Sequence, residues 1–74
     1  MEIDQQKIDD AVLALMYLNL HDECRSWKSL DWQAMDRLHQ EGLIDNPASK
    51  AKSVWLSKEG REKSKALFEQ MFCK

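Results

Sequence analysis

His21 and Cys24 stand three residues apart in "HDEC", a spacing at which an imidazole and a thiol can share a metal ion or act as base and nucleophile. Neither chemistry is completed nearby. A structural zinc site takes four nitrogen or sulfur ligands, and the other histidine and cysteine, His39 and Cys73, lie far off in sequence. For nucleophilic catalysis, nothing in the sequence orients His21 or supplies an oxyanion donor. The expectation is a chain without catalytic residues, metal, cofactor or small-molecule substrate.

A second set of residues suits recognition. Gln33, Arg37 and Gln40 recur at helical spacing, and Arg and Gln are the side chains that match guanine and adenine edges in a major groove. Lys50 and Lys52 follow on a turn-rich stretch and suit phosphate contacts. Charge opposes this use: Asp31, Asp36 and Glu41 leave residues 31–41 at a net −2, and anions beside phosphate weaken the main non-specific term in DNA affinity. Trp27, Trp32 and Trp55 form a third set. Trp27 and Trp32 can pack together, whereas Trp55 falls on the strand face opposite Val54 and Leu56 and is the candidate for an exposed anchor.

These residues must be positioned by a chain of only 74 residues, which has room for one domain, residues 1–74. A core of that size supplies about 3–5 kcal/mol without help. The formal charge is −2, distributed unevenly: residues 1–24 carry −5 and the remainder +3. A basic face is compatible with that balance; a basic protein is not. Two cysteines cannot make a disulfide framework. The acidic start "MEIDQQKIDD" lacks the features of a signal peptide, and "AVLALMYLNL" falls short of the ~18 apolar residues of a membrane span. A cytoplasmic protein with free thiols is expected, with no membrane partner.

Three helices are predicted. Asp4 can cap the first, along which Ile8, Val12, Leu15 and Asn19 form one line and Leu13, Met16, Tyr17 and Leu20 a second apolar stripe. A helix apolar on two sides must be covered on two sides. Leu67, Phe68, Met71 and Phe72 of the last helix can cover the second stripe, or a second copy of the chain can do so in a two-fold homodimer. On the latter reading Leu13, Met16, Tyr17, Leu20 and Trp55 form a protein interface.

"HDECRSWKSL" lacks a period and reads as a loop. Asp31 caps the second helix, with Leu30 and Met35 at hydrophobic-staple positions, and Gly42 closes it, with Leu43 folding back on Leu38. Ala34, Met35 and Leu38 face inward, and Gln33, Asp36, Arg37 and Gln40 face solvent. Leu43-Ile44 is a short strand, "DNPAS" a turn, and Lys50 to Leu56 an alternating return strand. Ser57 caps the last helix.

The order of these pieces resembles the winged-helix domain, a helix-turn-helix variant with an added β-hairpin. "MDRLHQEGLI" (35–44) is similar to a recognition helix with its first wing strand, and "SVWLSKEG" (53–60) to a second wing strand with the helix after it. The loop "HDECRSWKSL" departs from the pattern, since a further helix stands there in a usual winged helix. "DAVLALMYLNLHD" (10–22), "WKSLDW" (27–32) and "KAKSVWLSKEG" (50–60) also resemble stretches of a family of small bacterial proteins known as a domain of unknown function, which implies no assigned site residue. The fold expected is α+β, mostly α, and winged-helix-like: three main helices with a two-stranded β-hairpin, the wing, between the second and the last. The function expected is that of a small bacterial binding module. Duplex DNA is one partner, met through Gln33, Arg37, Gln40, Lys50 and Lys52; self-association or another protein is the alternative.

Overall fold

The computed structural model describes every residue except Glu23 and Ser29, both within the stretch 21–30 read as a loop. Five elements follow one another: α1 (Gln5–Leu18), β1 (Arg25–Trp27), α2 (Trp32–Gln40), β2 (Ser53–Trp55) and α3 (Lys58–Phe72). The α+β, mostly helical class and the three helices are as expected from the sequence, and the arrangement around the hairpin is consistent with a wing.

Each helix starts at the residue whose short polar side chain can satisfy a free N–H of the first turn. Asp4 accepts from Lys7 N at 3.1 Å, Asp31 from Ala34 N at 3.0 Å and Ser57 from Gly60 N at 3.0 Å. The end of α2 is equally well determined. Gly42 takes φ +78°, its N–H bonds to His39 O at 3.0 Å, and Leu43 N reaches back to Leu38 O at 3.0 Å. This pair of bonds is the Schellman closure, which glycine favours because it has no Cβ to clash at positive φ.

β1 and β2 pair antiparallel, with Arg25 opposite Trp55, Ser26 opposite Val54 and Trp27 opposite Ser53. On the other side of β2, Ile44 bridges to Leu56, Asp45 N donates to Trp55 O at 2.9 Å and Ser57 N to Leu43 O at 2.9 Å. Residues 53–57 therefore run between β1 and residues 43–45. The hairpin between α2 and α3 is present as this short bridge, while the regular ladder uses residues 25–27, where the sequence predicts a loop. The reason is local: Arg-Ser-Trp has no apolar alternation, and its inward member, Ser26, is fully buried as a polar residue. Pairing with a distant strand makes this segment extended.

The core gathers Val12, Leu13 and Met16 of α1, Ala34, Met35 and Leu38 of α2, and Leu43, Ile44, Val54 and Leu56 from the sheet region, with Leu20, Leu30 and Leu67 packed against it. Val54 and Leu56 point inward and Trp55 outward, in the alternation expected of a half-buried strand.

α3 covers the second stripe of α1. Tyr17 meets Phe68 at 5.3 Å between ring centroids, and Phe68 meets Phe72 at 5.7 Å. Leu13 and Met16 are fully buried within the single chain, so these two members of the expected interface belong to the core; Tyr17 and Leu20 are partly buried. Ser64 Oγ donates to Leu13 O at 2.6 Å in the buried contact between the two helices. Ser64→Ala is expected to lower stability by about 1 kcal/mol, read as a shift in the urea midpoint with an unchanged denaturant slope.

Candidate interaction surface

On α2 the expected reading face divides. Gln33 and Gln40 are exposed, as are Trp32 and Asp36, and Gln40 Nε2 lies 3.5 Å from Asp36 Oδ2. Arg37 does not face solvent freely. Its Nε donates to Asp9 Oδ1 and Oδ2 at 3.0 and 2.8 Å, and its Nη2 to Oδ1 at 2.7 Å. The Asp9 side chain is 5% exposed and that of Arg37 29%. The hydrogen bonds that Arg37 donates to Asp9 hold the guanidinium pKa above its ordinary value, against the opposing effect of desolvation. A carboxylate this buried needs its counter-charge, and the planar Arg fork meets it in the bidentate geometry that carboxylates favour. Arg37 therefore ties α2 to α1, and the guanidinium expected to read bases is engaged by Asp9.

Lys50 and Lys52 are exposed, as expected. Near them Lys28 N donates to Lys52 O at 3.2 Å, and Lys28 Nζ donates to Ser49 O at 2.8 Å and approaches its Oγ at 3.2 Å. Lys28 and Lys52 thus stand opposite each other where the paired strands end.

The outer face of the sheet follows from the register. Residues directly opposite share a face, as do residues two apart on one strand. Arg25, Trp27, Ser53 and Trp55 are therefore on one side, and Ser26 and Val54 on the core side. Trp27 and Trp55 are each 50% exposed. Both indoles are held from the side: His21 stacks on Trp27 at 4.3 Å and 20° between planes, and the Arg25 guanidinium lies 5.4 Å from the centre of the Trp55 ring. His21 reaches this face because it bridges to Arg25 in a tight antiparallel turn, with Asp22 at φ +50° inside it. Asp22 also pairs with Arg25, and that hydrogen bond holds its carboxyl below the ordinary carboxylate pKa.

Trp55 is thus exposed as expected, but Trp27 packs on His21 instead of Trp32, which is itself 55% exposed. His21 and Cys24 do not converge on a shared ligand. His21 Nδ1 lies 3.4 Å from Asn19 O, and the Cys24 thiol 3.8 Å from Asp22 O. Sequence reasoning found Trp55 and missed Arg25, Trp27 and His21 as its neighbours, because only the pairing of β1 with β2 puts them on one face. Elsewhere, Lys7, Asp10, Leu67, Gln70 and Met71 line a groove of about 300 Å³ between α1 and α3. No helix among the described residues is long and apolar enough to cross a membrane.

Comparison with known proteins gives the chain relatives and no assigned activity. Residues 4–74 match the family described as a domain of unknown function, DUF6429. The chain is 54% identical over 72 residues, 97% of its length and 97% of the relative's, to the uncharacterized protein y4hR of Sinorhizobium fredii. No solved structure matches it.

Proposed function

Because this chain belongs to the DUF6429 family, whose description names no activity, we propose from its own geometry that it is a non-enzymatic binding module whose partner is another polypeptide. One observation carries the proposal: Trp27 and Trp55 stand half-exposed on the same face of the sheet, each held in place by a neighbouring side chain. A large aromatic kept rigid at the surface loses little entropy on binding, and Trp is the residue type most enriched at the energetic centre of interfaces. On this reading the winged-helix-like arrangement serves as a scaffold for the sheet face, and a second copy of the chain is one candidate partner.

Duplex DNA is the second reading, favoured by the exposed Gln33, Gln40, Lys50 and Lys52. It is weakened by Arg37, which is bound to Asp9, and by Asp31, Asp36 and Glu41 around the two glutamines. The two readings respond differently to salt, because phosphate contacts release counterions and direct apolar contacts do not.

The test compares the full chain with its Trp55→Ala variant as baits in lysate from cells that encode it, after circular dichroism has shown both to be folded. A protein retained by the wild type in moderate salt and lost with Trp55→Ala is the expected result. Equal retention by both baits overturns it. So does a titration with mixed-sequence duplex DNA at low salt in which amides of residues 33–40 and 50–55 shift and salt reverses the shifts.

A further inference from the structure

Resting on that reading, we infer that the partner of the outer sheet face is a second copy of the chain, turned over by a two-fold axis that runs along the strands. Trp55 has Arg25 directly opposite on one side, its guanidinium over the indole. On the other side the Ile44–Leu56 bridge brings Asp45 level with Trp55. There Asp45 N donates to Trp55 O and Asp45 Oδ1 accepts from Trp55 N, each at 2.9 Å. A cation, an indole and a carboxylate therefore stand in one row across the sheet. Trp55 and Asp45 are exposed, and Arg25 is partly so.

A partner that matches this row presents a carboxylate, an apolar group and a cation in the same direction, which is the row itself read backwards. Two dyads can bring equal sheet faces together. One parallel to the strands reverses the row, setting Asp45 of each copy against Arg25 of the other and Trp55 against Trp55. One across the strands would set Arg25 on Arg25 and Asp45 on Asp45. Like charges in contact are costly and opposite charges fix the register, so the pattern selects the first dyad, an isologous contact between aligned sheets. Asp22 engages Arg25 through Nη2 in an exposed pair. Such pairs hold weakly, and a guanidinium offers five N–H donors, enough for a second carboxylate. Lys28 and Lys52, which would repel their own copies, fall on the core side of the same register. Half-exposed Trp27, diagonal to Trp55, extends the apolar area that the second copy covers.

The experiment is sedimentation equilibrium of the full chain across a concentration series. The mass is expected to pass from 8.7 kDa to twice that value as concentration rises, and Trp55→Ala should weaken the dimer by about tenfold or more. Arg25→Asp and Asp45→Arg, each first shown to be folded by circular dichroism, should both be monomeric alone, because like charges then meet at both contacts. Mixed, they should form a dimer, because opposite charges meet at both. If Asp45→Arg does not fold, Asp45→Asn takes its place: it keeps an acceptor for Trp55 N, removes the charge and should weaken the dimer. A chain that stays monomeric while Trp55-dependent capture from lysate is intact overturns the second copy alone and leaves the face to another protein. A dimer indifferent to Trp55→Ala, or no mixed dimer from the two charge variants, overturns the inference, since the copies then meet elsewhere. Equal lysate capture by the wild type and Trp55→Ala overturns the underlying reading of the face.

Discussion

Replacement of Gly60 by Ala is expected to remove most of the folding stability of the chain. Gly60 lies in the first turn of α3, where its N–H bonds to the capping Ser57, and the helix passes directly over residue 43. A Cβ at position 60 would lie 1.9 Å from Leu43 O, 2.8 Å from its carbonyl carbon and 3.1 Å from its Cα. These are backbone atoms, held by bonds from Ser57 N to Leu43 O and from Leu43 N to Leu38 O, at 2.9 and 3.0 Å. They cannot swing aside as a side chain would; the start of α3 or the closure of α2 has to move instead.

Overpacking costs about 1–3 kcal/mol and occasionally more, and a contact this close to fixed backbone belongs at the upper end, against the ~3–5 kcal/mol available to a core of this size. Helix propensity alone argues the reverse, since Ala in a helix interior is favoured over Gly by about 1 kcal/mol. Thermal unfolding followed by far-UV circular dichroism separates the two arguments. A variant as stable as the wild type, or more so, would sink the close-approach account. Gly42 is the instructive contrast: nothing lies within 4 Å of a Cβ built there, and the difficulty is its φ of +78°. Only conformational strain opposes a side chain at that position.

Removal of Arg37 is the second large effect. In Arg37→Met the Asp9 carboxylate, with its side chain 5% exposed, loses a partner that makes three hydrogen bonds to it. Breaking a buried pair from one side leaves an uncompensated charge. Replacing both partners by apolar groups does not. Arg37→Met is expected to lower Tm by about 10 °C or more, and Asp9→Leu in the same chain should recover much of that loss. A double variant no more stable than the single one would show that the pair acts mainly through packing.

The arginine end of the pair does not titrate in the physiological range. Its pKa is raised by Asp9, so its contribution is fully present below the ordinary arginine value and is lost only in strong alkali. The exposed Asp22–Arg25 pair has the opposite sign. The carboxyl of Asp22 is held low, so its contribution is present above the ordinary carboxylate value and disappears as pH falls through the lowered one.

The sequence was most legible where structure is local. Asp4, Asp31 and Ser57 each cap the helix they precede, Gly42 closes α2 through bonds within one turn, and Val54, Trp55 and Leu56 alternate across a strand as their order implies. These features depend on residues within a few positions of one another, and short-range chemistry determines them. The candidate site was half legible for the same reason: Trp55 is exposed because of its place in an alternating strand.

Tertiary structure alone decided the rest. Whether Arg37 reads a partner or neutralises Asp9 depends on a contact across 28 positions. Whether Leu13 and Met16 meet a second copy or their own core depends on how α3 covers α1, with Ser64 bonded to Leu13 across 51 positions. Residues 25–27 become a strand, and Trp27 joins Trp55 on one face, only when β2 pairs with them. Residue order determined the caps, the turns and the inward faces of these elements. The partner of each face was settled by long-range packing, in which the burial of one charge or one apolar stripe selects which of several compatible neighbours it meets.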